Sequence, residues 1–498
     1  MIQGTGSGVG KSILVTALCR IFKRDGFSVA PFKAQNMALN SFVTRSGGEM
    51  GRSQVVQAQA AGIEPQVEMN PILIKPTADT QAQVIVLGRP LGNFSAIQYH
   101  KFKHKLLKIV KDSYHKLTEK YDIVVIEGAG SPAEVNLREG DIVNMETAKI
   151  TNSPVILVGD IDKGGVFAWL WGTINLLSAE DRKRVKGIVI NKFRGNRKIL
   201  TPGLTWLERK TGCPVIGVIP FFKHIRIHEE DSLSLDYARF KGGGEVKIEI
   251  IYLPHISNFT DFDSLFGIDG VCVRYVGRGE SLSNPDGIII PGSKNTIDDL
   301  AYLREAGYVE QIRCLAKKGK IIMGICGGFQ MLGKEVRDPL HVESRLSSIE
   351  GIGLLDAVST IGREKVTHQV KAIPQIDEWD KKNFLRGYEI HMGKTDLGTE
   401  AHHLFKIIER SGEAVEVMDG AFNLKGNVLG TYIHGIFDNS SFIRWFLNLI
   451  RRCKGLPGVE NEIDEISLDE EYDKLANWVE SNIKKDILYQ IVERGMEG

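Results

Sequence analysis

Residues 1–12 read MIQGTGSGVGKS. A phosphate-binding loop of the form G-x-x-x-x-G-K-[ST], ending at Gly10-Lys11-Ser12, requires glycine at position 5. That position is Thr5, and the nearest upstream glycine is Gly4. The next stretch is SILVTALCRIFKRDG, in which Ile13, Leu14, Ala17, Leu18, Ile21 and Phe22 recur at helical spacing and Gly26 can stop the helix. The loop therefore feeds a helix amino terminus, where the first N–H groups lack partners and the dipole favours an anion. Gly6, Gly8 and Gly10 let the backbone close around phosphate oxygens. Lys11 can reach the outer phosphates, and the Ser12 hydroxyl can ligate Mg²⁺. ATP and Mg²⁺ are the expected ligands, the additional residue only lengthening the cradle. Met1, Ile2 and Gln3 alone precede the loop. Either the first strand is very short or the natural start lies upstream.

Outward from the loop, apolar runs alternate with helical patterns: YDIVVIEG (121–128), SPVILVGDI (153–161), VKGIVINKF (185–193) and PVIGVIP (214–220). Near-continuous Val/Ile runs suit parallel strands buried on both faces, and the alternation predicts a doubly wound α/β sheet. Ligands in such sheets sit at the carboxyl ends of strands. Glu127 ends one strand and can hold Mg²⁺ opposite the loop. Asp160 and Asp162, in VGDIDKGGVFA, can orient metal or substrate or cap the next helix. Lys163 beside its glycines favours an anion. Asn191 ends a further strand, where it can read an adenine edge or serve a turn.

The bulk composition excludes several classes. Lys and Arg number 63 against 62 Asp and Glu, so no net charge argues for nucleic acid. No apolar run reaches membrane-spanning length, and no basic-then-apolar leader opens the chain. Cys19, Cys213, Cys272, Cys314, Cys326 and Cys453 include no C-x-x-C pair, which argues against structural zinc and a disulfide framework. A cytoplasmic α/β protein acting on small molecules is expected.

DYARFKGGGEVK (236–247) reads as a linker. A second strand series comes after it: VKIEIIYLP (246–254), GVCVRYV (270–276), DGIIIPGS (286–293) and KIIMGICGG (320–328). In the last, small residues flank Cys326 on both sides between a strand and the helical FQMLG. That pattern fits a sharp elbow lifting the thiol clear of the sheet. A thiol near a helix amino terminus, normally with a pKa of about 8.5, is stabilised as thiolate. Its base is expected to be His434 in VLGTYIHGIFD, with His391 in GYEIHMG the closest rival. Glu389 and His391 are read as lining the site. The oxyanion donors are expected to be the N–H of Gly327 and one from Pro291-Gly292-Ser293, at Gly292. His402-His403 reads as exposed helical surface. The segment from RWFLNLIRRCKG onward reads as helical and expected to pack on the second half.

G-x-C-x-G-x-Q at 324–330 with the later Y-x-H resembles a class I glutamine amidotransferase domain. GTGSGVGKS resembles the phosphate loop of dethiobiotin synthetase, which carries the same additional residue. PFKAQNMALNSFVT, MGRSQVVQAQAAG, MNPILIKP, VVIEGAGSPAE, VGDIDKGGVFA, INKFRG and GYEIHMG together resemble the cobyric acid synthase family of the cobalamin pathway, from the first residues to about residue 440. The resemblance implies a dethiobiotin-synthetase-like domain over 1–235, the linker 236–247, an amidotransferase domain over 248–442 and a helical tail over 443–498. It implies ATP- and glutamine-dependent amidation of the b, d, e and g carboxylates of adenosylcobyrinic acid a,c-diamide. The alternatives are the sister enzyme that amidates carboxylates a and c, and a P-loop partitioning or regulatory protein with an inactive amidotransferase domain. QNMALNS and GYEIHMG favour the first reading over the sister enzyme, and intact Cys326 and His434 weigh against the inactive one. Ile436 stands where class I enzymes carry a glutamate, so the resemblance implies a Cys326–His434 dyad with no evident partner for the imidazole.

Overall fold

The computed structural model describes residues 1–78, 81–138, 140–222, 227, 244–376, 379, 383–460 and 467–496. In the first half, Ile2–Gly4 runs parallel to Val155–Asp160, which leads through Val185–Phe193 to Val215–Pro220. On the other side, an isolated bridge from Ile2 to Glu127 connects to the parallel pair Ile123–Ile126 and Val29–Phe32. The three-residue opening strand is thus central, and Gly4 at its end already begins the loop. The helix Lys11–Arg24 leaves that loop and buries Leu14, Leu18, Ile21 and Phe22. Lys23 and Arg24 fall in its last turn, where cations suit the dipole. A smaller sheet of Gln35–Met37, Ile72–Ala78, Gln81–Val86 and Arg89–Ser95 projects from this half.

In the second half, Val271–Val276, Val246–Ile251, Gly287–Ile290, Ile321–Ile325 and Val428–Thr431 form a parallel sheet, extended by antiparallel Ala421–Asn423 and Ala401–His402. A separate antiparallel sheet runs Glu413–Asp419, Phe405–Arg410, Val366–Pro374, Leu385–His391, Ile433–His434. It sets His434 opposite Tyr388. Residues 236–243 of the expected linker lie outside the described residues, and Val246 and Lys247 already belong to a strand.

Two expectations are corrected. His402 sits in a two-residue strand at a sheet edge, paired with Phe422, and not in a helix. The tail divides between the halves. Ser440–Cys453 buries Phe442, Phe446 and Ile450 in the second core. Leu468–Glu480 and Lys485–Arg494 return to the first, where Tyr472, Leu475, Val479 and Leu488 pack with Leu14 and Leu18. Charge reinforces the choice: Arg20 Nε donates to Asp473 at 2.9 Å, and Arg20 Nη1 to Asp469 at 2.8 Å. Among the described residues, no helix is long and apolar enough to cross a membrane.

Candidate active site

The phosphate loop is held by residues of its own half. Gly10, at φ 95°, has no room for a side chain, because an added Cβ would strike Asn191 Nδ2. Asn191 Nδ2 donates to Val9 O at 2.9 Å, so this amide secures the loop. Gly8 has φ 69°, and its carbonyl accepts from Lys192 Nζ at 2.6 Å. Gly6 has open space beside it. Lys11 Nζ folds over the loop, donating to Gly6 O at 2.8 Å and Gly130 O at 3.2 Å. Asp160 accepts from the Asp162 backbone at 2.9 Å and lies 3.0 Å from Lys192 Nζ, while Asp162 pairs with Arg194 at 2.7 Å. Both carboxylates are thereby engaged in the turn. Lys163 lies close to Gly8.

Ser12 Oγ donates to Glu127 Oε1 at 2.8 Å. Lys33 Nζ lies 2.9 Å from the same oxygen, and Gln57 Nε2 donates to Oε2 at 2.5 Å. Burial pushes the Glu127 carboxyl upward, but Lys33 and these donors outweigh it and hold it below the usual carboxylate value. An octahedral Mg²⁺ with bonds of about 2.0–2.1 Å sets neighbouring ligand oxygens about 2.9 Å apart, so the Ser12–Glu127 spacing fits the ion. Ser12, Lys33 and Glu127 line a cleft of about 2790 Å³ that reaches Tyr388, Arg386 and Gly387 of the second half.

The thiol sits on a strained turn. Cys326 has φ 51° and ψ −108°, between the strand Ile321–Ile325 and the six-residue helix Gly327–Leu332. A non-glycine residue at such φ is costly and marks an imposed geometry. Gly324 and Gly328 permit it: a Cβ at Gly328 would collide with Ile290 O, and one at Gly324 would lie 2.6 Å from Phe329 N. Cys326 is 7% exposed, with Sγ 3.7 Å from Ile390 O. The predicted oxyanion segments adjoin: a Cβ at Gly327 would lie 2.9 Å from Ser293 N, and one at Gly292 would lie 3.2 Å from His434 Cε1.

The imidazole has a partner that sequence reasoning missed. His434 Nδ1 lies 2.6 Å from Asp261 Oδ2, and Asp261 Oδ1 accepts the Gly435 N–H at 3.0 Å. Asp261 comes from the helical turn Phe259–Leu265, far from the usual glutamate position, where Ile436 is buried. Burial alone lowers the His434 pKa, but Asp261 and Cys326 outweigh it and push it up to about 10. Nε2 is buried and has no geometrically formed hydrogen bond among the described residues, and Cys326 is near enough to favour its protonated form. His391 instead binds Gly393 O through Nδ1 at 3.0 Å and stacks on Tyr432 at 3.9 Å. Glu389 is engaged by Arg410 at 2.8 and 2.9 Å.

The first half reaches into this site. Asn40 Oδ1 accepts from Phe259 N at 3.0 Å, and Ser41 N donates to Asn258 Oδ1 at 3.0 Å. These bonds grip the turn that carries Asp261. Phe42 packs on Tyr388 with ring centroids 5.2 Å apart, and Tyr388 stacks on His434 at 5.4 Å. Lys75, from the small sheet, lines the same pocket as Cys326, Lys294, Glu343 and His391. Lys75 pairs with buried Glu49 at 2.9 Å, and Lys365 of the second half pairs with that carboxylate too.

Comparison with known proteins gives two family matches within the chain. Residues 1–235 match the CobQ/CobB/MinD/ParA nucleotide binding domain, and residues 247–442 match the CobB/CobQ-like glutamine amidotransferase domain. Over its full length the chain is 52% identical to the cobyric acid synthase of Caldanaerobacter subterraneus subsp. tengcongensis, covering 99% of this chain and 98% of that one. It is 54% identical to that of Alkaliphilus metalliredigens, covering 99% of each. It is 50% identical to that of Dehalococcoides mccartyi, covering 100% of this chain and 99% of that one. A nucleotide-binding half and a thiol-bearing amidotransferase half in one polypeptide, matched end to end, lead to one assignment: the chain belongs to the cobyric acid synthase family of glutamine-hydrolysing amidotransferases.

Proposed function

We propose that this enzyme amidates the b, d, e and g carboxylates of adenosylcobyrinic acid a,c-diamide, using ATP and glutamine. The observation that carries the reading is the presence in one chain of a phosphate loop and a Cys326–His434–Asp261 constellation, the loop opening on a cleft that reaches Tyr388, whose ring stacks on His434. Hydroxide is a poor leaving group, so the acceptor carboxylate must first be activated. Its oxygen attacks the γ-phosphorus of ATP, ADP departs, and an acyl phosphate forms. Lys11 and the loop amides stabilise the charge on the transferred group. Ser12 and Glu127 would hold Mg²⁺, which supplies further neutralisation of the β- and γ-phosphates when bound. Asn191 shapes the loop that receives them.

At the second site Cys326 Sγ attacks the glutamine side-chain amide. The N–H groups of Gly327 and Gly292 receive the oxyanion. Imidazolium at His434 gives a proton to the departing nitrogen, and ammonia leaves. Water then cleaves the thioester, with His434 taking its proton, and glutamate departs. Asp261 holds the ring with Nδ1 protonated, so that Nε2 faces the reacting atoms. Free ammonia is mostly protonated at neutral pH and NH₄⁺ has no lone pair. Delivery through the protein to the acyl phosphate therefore preserves the nucleophile. Ammonia attacks the acyl carbon, phosphate leaves, and the amide remains.

The test is direct. Cys326→Ala is expected to abolish glutamine-dependent amidation while amidation at high ammonium survives; Lys11→Ala is expected to impair both by at least about a hundredfold. Counting added amides on the diamide by mass reads the product. Glutamine use surviving in Cys326→Ala would overturn the elbow assignment, and amidation of cobyrinic acid at a and c alone would overturn the substrate.

A further inference from the structure

Arg52 is 6% exposed, and its Nε is buried with no hydrogen-bond partner among the described residues. Among the described residues no carboxylate pairs with it. Its guanidinium lies over the Phe42 ring, 5.3 Å from the centroid. A single cation–π contact offsets only part of the cost of burying an unpaired charge. The balance leaves room for an anion. The backbone beside it points the same way. Arg52 begins the ten-residue helix Arg52–Ala61, whose amino end has no side-chain cap and no acidic residue in its first turn. Such an end favours negative charge.

Position identifies the anion. Arg52 and Ser53 line the large cleft together with Lys11, Ser12 and Asn36. Along the same helix, Gln54 and Gln57 hold the Glu127 carboxylate at 3.4 and 2.5 Å. In the other direction, Arg52 rests on Phe42, Phe42 on Tyr388, and Tyr388 on His434. The guanidinium therefore lies between the phosphate loop and the source of ammonia, where the activated acyl group must meet its nucleophile. Nucleotide phosphates already have Lys11 and the loop.

We propose that Arg52 and the uncapped end of its helix bind the acceptor carboxylate of the corrinoid and hold it between the two chemistries. The assignment rests on the function proposed above. Its test measures two affinities, by equilibrium dialysis of adenosylcobyrinic acid a,c-diamide and by calorimetry of a Mg²⁺-bound non-hydrolysable ATP analogue. In Arg52→Met the diamide Kd is expected to rise about 10- to 150-fold, the range for a hydrogen bond to a charged group, with the nucleotide Kd unchanged. KM for the diamide should rise alike whether glutamine or ammonium supplies nitrogen, and KM for glutamine should stay. Arg52→Lys keeps the charge without the planar fork, so a smaller rise is expected; it carries the same test if the methionine variant does not fold. Loss of nucleotide affinity in place of diamide affinity would assign the anion to a phosphate and overturn the proposal. Unchanged affinity for both would make Arg52 a packing residue. A wild-type enzyme that neither binds nor amidates the diamide would defeat the functional reading itself, whereas normal wild-type amidation with unaltered binding in Arg52→Met defeats only this assignment.

Discussion

The phosphate loop and the thiol elbow are built alike. Each is a tight glycine-lined turn between a parallel strand and a helix, with a positive φ at a decisive residue. They differ in what holds them. Around the phosphate loop, Lys33, Gln57, Glu127, Asn191 and Lys192 all come from the same half. Around the thiol, Cys326, His434 and Asp261 come from three separate elements, and Asn40, Ser41 and Phe42 reach in from the other half. The contrast teaches that glutamine chemistry depends on the nucleotide half for its geometry.

The sharpest way to break the comparison is at Asp261. Asp261→Asn is expected to lower glutamine kcat/KM by about 10³- to 10⁴-fold, the scale seen when a triad loses its orienting carboxylate, and to leave ammonium-fed amidation intact. The same variant should shift the pH profile. The carboxylate holds His434 protonated up to about 10 against the downward pull of burial. Without it the imidazole loses its proton at lower pH, so the alkaline limb of glutaminase activity should move toward neutrality. A profile that stays in place would detach Asp261 from the proton chemistry.

A smaller effect is expected across the boundary. Asn40→Ala removes the acceptor of a buried N–H, at a cost of about 1–3 kcal/mol, and loosens the turn carrying Asp261. Glutaminase kcat should fall roughly tenfold on that scale, again with ammonium-fed amidation retained. Equal losses in both assays would show the contact to serve general packing. Leu475→Ala should change turnover least. It is expected to destabilise the nucleotide half by about 2–5 kcal/mol, read in denaturant unfolding, because Leu475 is fully buried among residues of the first helix.

The difference between the two sites also decides how much of each is legible in the sequence. Gly10, Lys11 and Ser12 are contiguous, and Glu127 ends a strand, so chain order alone reveals them. Cys326 stands out because small residues at Gly324 and Gly328 bracket it, and His434 is marked by the strand before it. Asp261 is invisible to that logic: it belongs to no motif, sits 173 residues from His434 and is brought close by tertiary packing. Its one trace is a carboxylate buried within an apolar stretch, IIYLPHISNFTDF. Lys33 lies within PFKAQNMALNSFVT, yet only the parallel pairing of Val29–Phe32 with Ile123–Ile126 shows that it meets Glu127. The tail escapes sequence reasoning for a related reason. Amphipathic spacing shows that a helix has a face to bury but not which core receives it.

That return of the last two helices bears on biogenesis. Domains emerging from a ribosome generally fold in order, amino-terminal first. Here Tyr472, Leu475 and Val479 fill the hydrophobic cluster begun by Leu14 and Leu18, so a helix made early waits for one made more than 400 residues later. The nascent nucleotide half must persist with an uncovered apolar surface while the whole amidotransferase half is translated, and closes only when the helices beyond it have emerged.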